Sequence, residues 1–479
     1  MAGSLVIATQ IPPAPTPRPV LLNSNPYLDR IARPFARVMR MVSGGSDPGS
    51  LSGRAAQSGV WIGGGFVIQR VLQLGSNLIL TRLLFPEAFG LMALATIFLV
   101  GLQMFSDLGL KSSIIRDPKG NDPLFLNTAW TLQVIRGFAL FVVGCLLAYP
   151  ISIIYEQPIL FPLLVVMSFT AVVTGFQSIK ISTSERDLDF RVLTFVQVCG
   201  QIASIIALVS LTFIYRSVWA LAIGTIIGSA VTMAFGHIFL KGHRHRLALD
   251  REATHSLLHF GKWIFLSTVA TYLGGEGLRA IQGGFLTPSE FGVLAIAYTI
   301  AAIPIEIVLK LTASIGFPSL SEAVRRAPES LPNVLQKFRK RTLLIAFMLV
   351  TVVALTSEIL IRILYDERYH SAGAYVTAIT LSNAVALINA GYNNALLALG
   401  KSKTYFAIMT MAVLIRILGT VIGYHFFGIL GMIYGVGLAN SLILLLTYAI
   451  MRIVNLGDLK TDIGSLFFIT AIFALSFVF

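Results

Sequence analysis

The side chains of this chain that could do chemistry are charges set inside long apolar stretches, where each needs a partner or water. On insertion scales each costs at least ~2.5–3.5 kcal/mol at the centre of a membrane helix. Glu276 and Arg279 have i,i+3 spacing, and Glu306/Lys310 and Glu358/Arg362 have i,i+4 spacing, so each pair can close an ion pair along one helix. The last pair lies near a helix end and can snorkel to the surface. The balance inside the apolar stretches is Arg70, Arg136, Arg279, Lys310, Arg362 and Arg416, with Lys262 near an edge, against Glu276, Glu306 and Glu358. An excess of cations in a membrane cavity suits an anionic ligand, and arginine suits bidentate phosphate contacts. Glu276, Glu306 and Asp107 are the candidates for holding a coupling ion.

Other chemistries find no support. The sequence has no GxxxxGK[ST] phosphate loop, no metal-ligand spacing and no nucleophile elbow. Gly63–Gly65 falls inside an apolar run, where helix packing explains it better than phosphate binding. The histidines of GHRHR (242–246) read as part of a basic loop rather than a metal site, and Cys145 and Cys199 lie inside spans. No loop on the outer side is long enough to hold a polymerase or glycosyltransferase acceptor. The expectation is a protein that is not an enzyme and needs no cofactor.

The elements that position these charges are membrane helices. Hydrophobic residues make up 56% of the 479-residue chain and charged residues 12%, where a soluble domain carries roughly 25% charged; the mean hydropathy is +0.80. Runs long enough to cross a ~30 Å hydrocarbon core are read at 58–83, 89–106, 126–149, 159–180, 192–214, 217–240, 257–283, 290–314, 342–364, 373–398, 404–427 and 429–451. The run 463–479 is a candidate thirteenth span. No ten-residue alternation of a membrane barrel is present, so the fold class is all-α polytopic. Gln69, Gln73 and Asn77 share one arc of the first span with Arg70. Thr268, Thr271, Tyr272, Glu276, Arg279 and Gln282 share one arc of the seventh, and Thr96, Gln103 and Asp107 one stripe of the second. Lipid would not tolerate these stripes, so they face an interior. The candidate substrate-binding residues are therefore Arg70, Arg279, Glu276, Gln69, Gln73, Asn77, Arg136, Lys310 and Arg416. Gly274, Gly275 and Gly277 around Glu276 predict either a bend at mid-membrane or close packing.

Residues 61–95 match 263–297 without a gap. Trp61/Trp263, Gly75/Gly277, Pro86/Pro288, Phe89/Phe291 and Gly90/Gly292 are among the identities. A duplicated unit of about 200 residues in a hydrophobic chain is a transporter signature, and six spans between the copies make the repeats parallel. The domain expectation is a Pro-rich basic tail (1–57, disordered), a six-helix lobe (58–240), a linker (241–256), a second six-helix lobe (257–451) and a last segment (452–479). Alternate loops are strongly asymmetric in charge. One set, which includes Arg244 and Arg339, is rich in Lys and Arg; the other holds Arg82, Arg216 and Arg368. The tail lies on the richer side and is expected to be cytoplasmic. The net charge of +14 is thus topology, with no nucleic-acid partner implied.

The stretch NLILTRLLFPEAFGLMALATIFLVGLQMFSDLGLKSSIIR (77–116), followed by FLNTAWTLQVIRG (125–137), resembles the polysaccharide transporter family. These are Wzx-type oligosaccharide flippases of the multidrug/oligosaccharidyl-lipid/polysaccharide exporter superfamily. The resemblance weakens through the remaining spans and leaves out the tail. It implies a bacterial inner-membrane protein that moves undecaprenyl-pyrophosphate-linked oligosaccharides outward by alternating access, for exopolysaccharide, capsule or O-antigen. Membrane lipids, and polysaccharide polymerase or export machinery, are candidate partners. Two other readings stay open: a cation-coupled multidrug antiporter of the same superfamily, and a non-transporting scaffold of a polysaccharide assembly complex.

Overall fold

The structure, a computed structural model, describes residues 51–106, 109–117, 119–312 and 316–476, and every regular element among them is helical. Among the described residues, those from 62 onward form one compact unit, and 51–61 fall outside it. The expected tail lies almost entirely outside the described residues. In order the helices are α1 (Leu51–Leu83), α2 (Pro86–Phe105), α3 (Leu110–Arg116), α4 (Pro123–Ile154), α5 (Leu160–Gly175), α6 (Lys180–Arg186), α7 (Phe190–Tyr215) and α8 (Val218–Phe239). They continue with α9 (Arg251–Gly274), α10 (Glu276–Gly283), α11 (Pro288–Leu311), α12 (Phe317–Arg326), α13 (Leu331–Leu364), α14 (Ala372–Ala398), α15 (Ser402–Ile453) and α16 (Leu459–Leu475).

Helix starts follow from local chemistry. Pro86, Pro123 and Pro288 sit in the first turn, where a missing N–H costs nothing. Thr287 and Glu290 close a capping box on α11, and the Asp122, Asp250 and Asp458 side chains accept N–H bonds at the starts of α4, α9 and α16.

Among the described residues, eight helices are long and apolar enough to cross a membrane, or nine if the bent pair α5 and α6, which meet at 58°, is one span. The protein is a multi-pass membrane protein. Two expected spans, α1 and the α9–α10 segment, are absent from that set of apolar crossings, and they are the helices that carry the polar arcs around Arg70 and Arg279. Several spans depart from the expected boundaries. The seventh is broken at Gly274–Gly275, where Gly275 has φ −119° and ψ −90°. The ninth is the end of a helix that begins at Leu331. The eleventh and twelfth are arms of the 52-residue α15, which folds back at Phe427–Gly428; Gly428 takes φ +64°, a conformation that favours glycine.

Helices α2 and α11 cross in close backbone contact. A Cβ on Gly90 would strike the Pro288 carbonyl, and one on Gly292 would strike the Pro86 carbonyl. Small residues permit such contact in membranes, where packing rather than hydrophobicity holds helices together. The crossing is reciprocal at the PEAFG and PSEFG positions, and the buried Leu91, Leu94, Phe291 and Leu294 of the same two helices share one core.

Candidate functional site

A cavity of about 510 Å³ is lined by residues of α1, α2, α7, α8, α10 and α11. Arg70, Gln73 and Asn77 enter it from α1, Glu276 and Arg279 from α10, and Glu306 from α11. Thr96, Gln201, Ser204, Thr225, Tyr298 and Thr299 supply further polar groups. The i,i+3 and i,i+4 repeats on α1 aim its polar arc inward; the break after Gly274 lets α10 present Glu276 and Arg279 to the same space.

Both arginines are held by carboxylates. Arg70 forms an ion pair with Glu306 across 236 residues of sequence and donates a second bond to Gln73 Oε1 at 2.7 Å. Arg279 pairs with Glu276 at 3.1 Å and lies 4.4 Å above the Tyr298 ring. Tyr298 in turn donates to Gln282 Oε1 at 2.7 Å. All four charged side chains keep a quarter to a third of their surface exposed, so the cavity wall is wettable and a ligand can reach them.

Several expected site residues lie elsewhere. Gln69 and Lys310 line a neighbouring cavity of about 270 Å³ together with Phe66, Lys111 and Glu185. The i,i+4 pair expected between Glu306 and Lys310 does not form: Glu306 turns to Arg70, and the Lys310 ammonium sits 3.3 Å from the centre of the Phe66 ring. Arg136 donates to Ser106 Oγ at 2.9 Å and to the Gln103 carbonyl at 2.5 Å. Arg416 donates to Asn440 Oδ1 at 2.8 Å. Neither lines the large cavity. Asp107 and the Lys262 side chain are outside the described residues. Glu358 and Arg362 form an exposed pair at 2.7 Å, as a snorkelling position requires. The cavity thus holds two arginines against two glutamates, a balanced set in place of the expected cationic excess.

One charged cluster was hidden in the sequence. Arg339, counted there as a loop charge, is buried in α13 and paired with Asp462 of α16. Its guanidinium lies 3.7 Å above the Tyr392 ring, and Tyr392 donates to the second Asp462 oxygen at 2.7 Å. The signal available was an aspartate opening an otherwise apolar final run.

A family model described as polysaccharide biosynthesis protein matches residues 79–374. The lipopolysaccharide biosynthesis protein WzxC of Escherichia coli (strain K12) is 22% identical over 378 residues, covering 78% of this chain and 76% of that one. Among solved structures, the lipid II flippase MurJ in an inward closed conformation aligns with a TM-score of 0.67 at 17% identity, over 86% of this chain and 91% of that chain. The inward-facing conformation of a multidrug resistance MATE transporter of the MOP superfamily aligns at 0.64 and 15% identity, over 81% and 95%. The chain therefore has the fold of these MATE and MurJ proteins, and it belongs to the polysaccharide biosynthesis protein family.

Proposed function

We propose that the protein carries a polyprenyl-pyrophosphate-linked oligosaccharide from the cytoplasmic to the outer leaflet of a bacterial inner membrane by alternating access. The observation that carries this reading is one cavity faced by Arg70 from the first repeat and Arg279 from the second. Two guanidiniums from separate halves can grip one pyrophosphate, each oxygen pair matching the fork of an arginine. The names of WzxC and MurJ, which refer to lipopolysaccharide and lipid II, support the substrate class. In this reading the repeats are parallel six-helix lobes, supported by the reciprocal Gly90–Pro288 and Gly292–Pro86 crossing.

Because each arginine already has a carboxylate, an incoming pyrophosphate must replace it. The displaced Glu306 and Glu276 then lose their counter-charge within the membrane and need a replacement cation. This links substrate binding to a coupling ion. A continuous polar cavity argues against a scaffold.

Near Pro86 and Pro288 hydrogen bonds join the two halves. Tyr369 donates to the Leu84 carbonyl at 3.1 Å, Tyr155 to the Ala280 carbonyl at 2.8 Å, and Arg368 to the Thr81 carbonyl at 3.3 Å. By the charge asymmetry of the loops this is the periplasmic end.

The test is export of polysaccharide by arginine variants. Arg70→Ala and Arg279→Ala should abolish export at near-normal membrane levels, and lysine at either position should rescue partly, returning charge without the fork. Full export by both alanine variants would sink the pyrophosphate reading.

A further inference from the structure

The linker between the repeats is not a loose tether. Residues 243–250 form no regular secondary structure and lie along the start of α4, and alternate backbone N–H groups donate to its side chains: Arg246 to Asn127 Oδ1, Ala248 to Thr131 Oγ1 and Asp250 to Thr128 Oγ1, each at 3.0 Å. An extended chain turns every second N–H the same way, and Asn127, Thr128 and Thr131 lie within one turn of a helix. His245 stacks on Trp130 (centroids 5.3 Å apart, planes at 27°) and shares a 2.8 Å hydrogen bond with Ser178. The NTAW segment, Asn127 to Trp130, thus supplies two of the three acceptors and the stacking surface.

The attachment continues into α9. Asp250 caps that helix by accepting from Ala253 N at 2.8 Å, and Lys119 pairs with Glu252 at 3.0 Å. Ala253 and Leu257 are buried in one cluster with Leu110, Ile114, Phe125, Leu126, Ala129 and Ile179, all from the first half of the chain. Further along, Thr268 donates to the Met104 carbonyl at 3.0 Å, and the Tyr272 ring fills the space that a Cβ on Gly101 would take. At its last turn Gly274 faces Val413 of α15, and the helix then breaks.

We propose that the NTAW segment is a docking face for the chain's own linker, and that this strap makes α9 part of the N-terminal body. The joint between the two halves then lies at the Gly274–Gly275 break, next to Glu276 and Arg279, and not in the linker. The residue-by-residue boundary near 257 drawn from the repeat moves to 274 in mechanical terms. A joint beside Arg279 means that relative motion of the halves changes the Arg70–Arg279 separation directly. The proposal rests on the two-body transport reading but not on the identity of the cargo.

Its test uses the full chain in lipid nanodiscs. Amide exchange at Ala248 should run roughly tenfold or more slower than at the exposed linker positions 242 and 244, and Thr131→Val should return it to their rate. Spin labels at Lys119→Cys and Arg251→Cys should give a narrow distance distribution, and labels at Arg251→Cys and Lys340→Cys a broader one. Wild-type exchange at Ala248 as fast as at 242 removes the strap. A 119–251 distribution as broad as the 251–340 one overturns the joint. Both readouts are independent of export, so they stand apart from any failure of the substrate assignment.

Discussion

Glu306 decides how free Arg70 is, and the two side chains make a testable pair. In Glu306→Gln the guanidinium loses its counter-charge, so binding of a polyprenyl pyrophosphate should tighten by about tenfold, on the order of 1.4 kcal/mol, while turnover falls because no carboxylate remains to reclaim the arginine on release. Binding to purified protein and export in cells read the two effects separately; weaker binding would show that Glu306 holds the ligand side of the cavity and does not compete with it. Arg339 and Asp462 make the opposite case, with side chains 1% and 6% exposed. Arg339→Ala strands a buried carboxylate and should cost about 3–5 kcal/mol, whereas leucine at both positions should recover most of it. Thermal unfolding of the purified variants checks this, and a tolerated Arg339→Ala would contradict the burial. Sequence patterning could place Arg70 and Arg279 on inward arcs, since helical period alone does that. It could not tell that Glu306 would leave Lys310 for Arg70, because both partners lie within reach until the helices are packed.

At the scale of elements, the α2–α11 crossing depends on two missing side chains. Gly90→Leu has no free space against the Pro288 carbonyl and should destabilise by more than the ~1–3 kcal/mol of ordinary overpacking, seen as loss of folded protein in detergent; Gly59→Leu, at a position open to its surroundings, is the control. The linker strap carries a pH signature. Burial, reinforced by His237, Lys180 and His243, pushes the His245 imidazole down to about 4 from its ordinary 6.5. Between those values the unfolded chain holds a proton that the folded chain refuses, so stability rises with pH from about 4 to about 6.5 and is flat above. The His245→Gln variant should lack this component: wild type should lose stability relative to it as pH falls through that window. Equal slopes for the two proteins would show that His245 is solvated. Reading the sequence as a basic loop caught the charge of this segment but missed its order, because a strap is defined by what lies beneath it.

For the whole molecule, the orientation proposed from the loop charges predicts a thiol-labelling pattern. Cysteines at exposed positions 156 and 367 should react with an impermeant reagent added outside cells, and one at 244 should not; reversed reactivity would invert the topology. Position 339 is no reporter, since its side chain is buried whichever way the protein faces. The sequence by itself determined the all-helical membrane class, because a chain this apolar must satisfy its backbone internally. It also located the polar arcs and the matching PEAFG and PSEFG punctuation, since period and punctuation are local properties of a chain. Tertiary structure alone decided which charges meet. Arg70 and Glu306 stand 236 positions apart, Arg339 and Asp462 123 apart, and the linker finds its acceptors 117 to 122 residues upstream. The Arg70–Glu306 pair forms where α1 and α11 line the same cavity. Local composition carries no record of which of several charges, all in need of a partner, will be brought face to face.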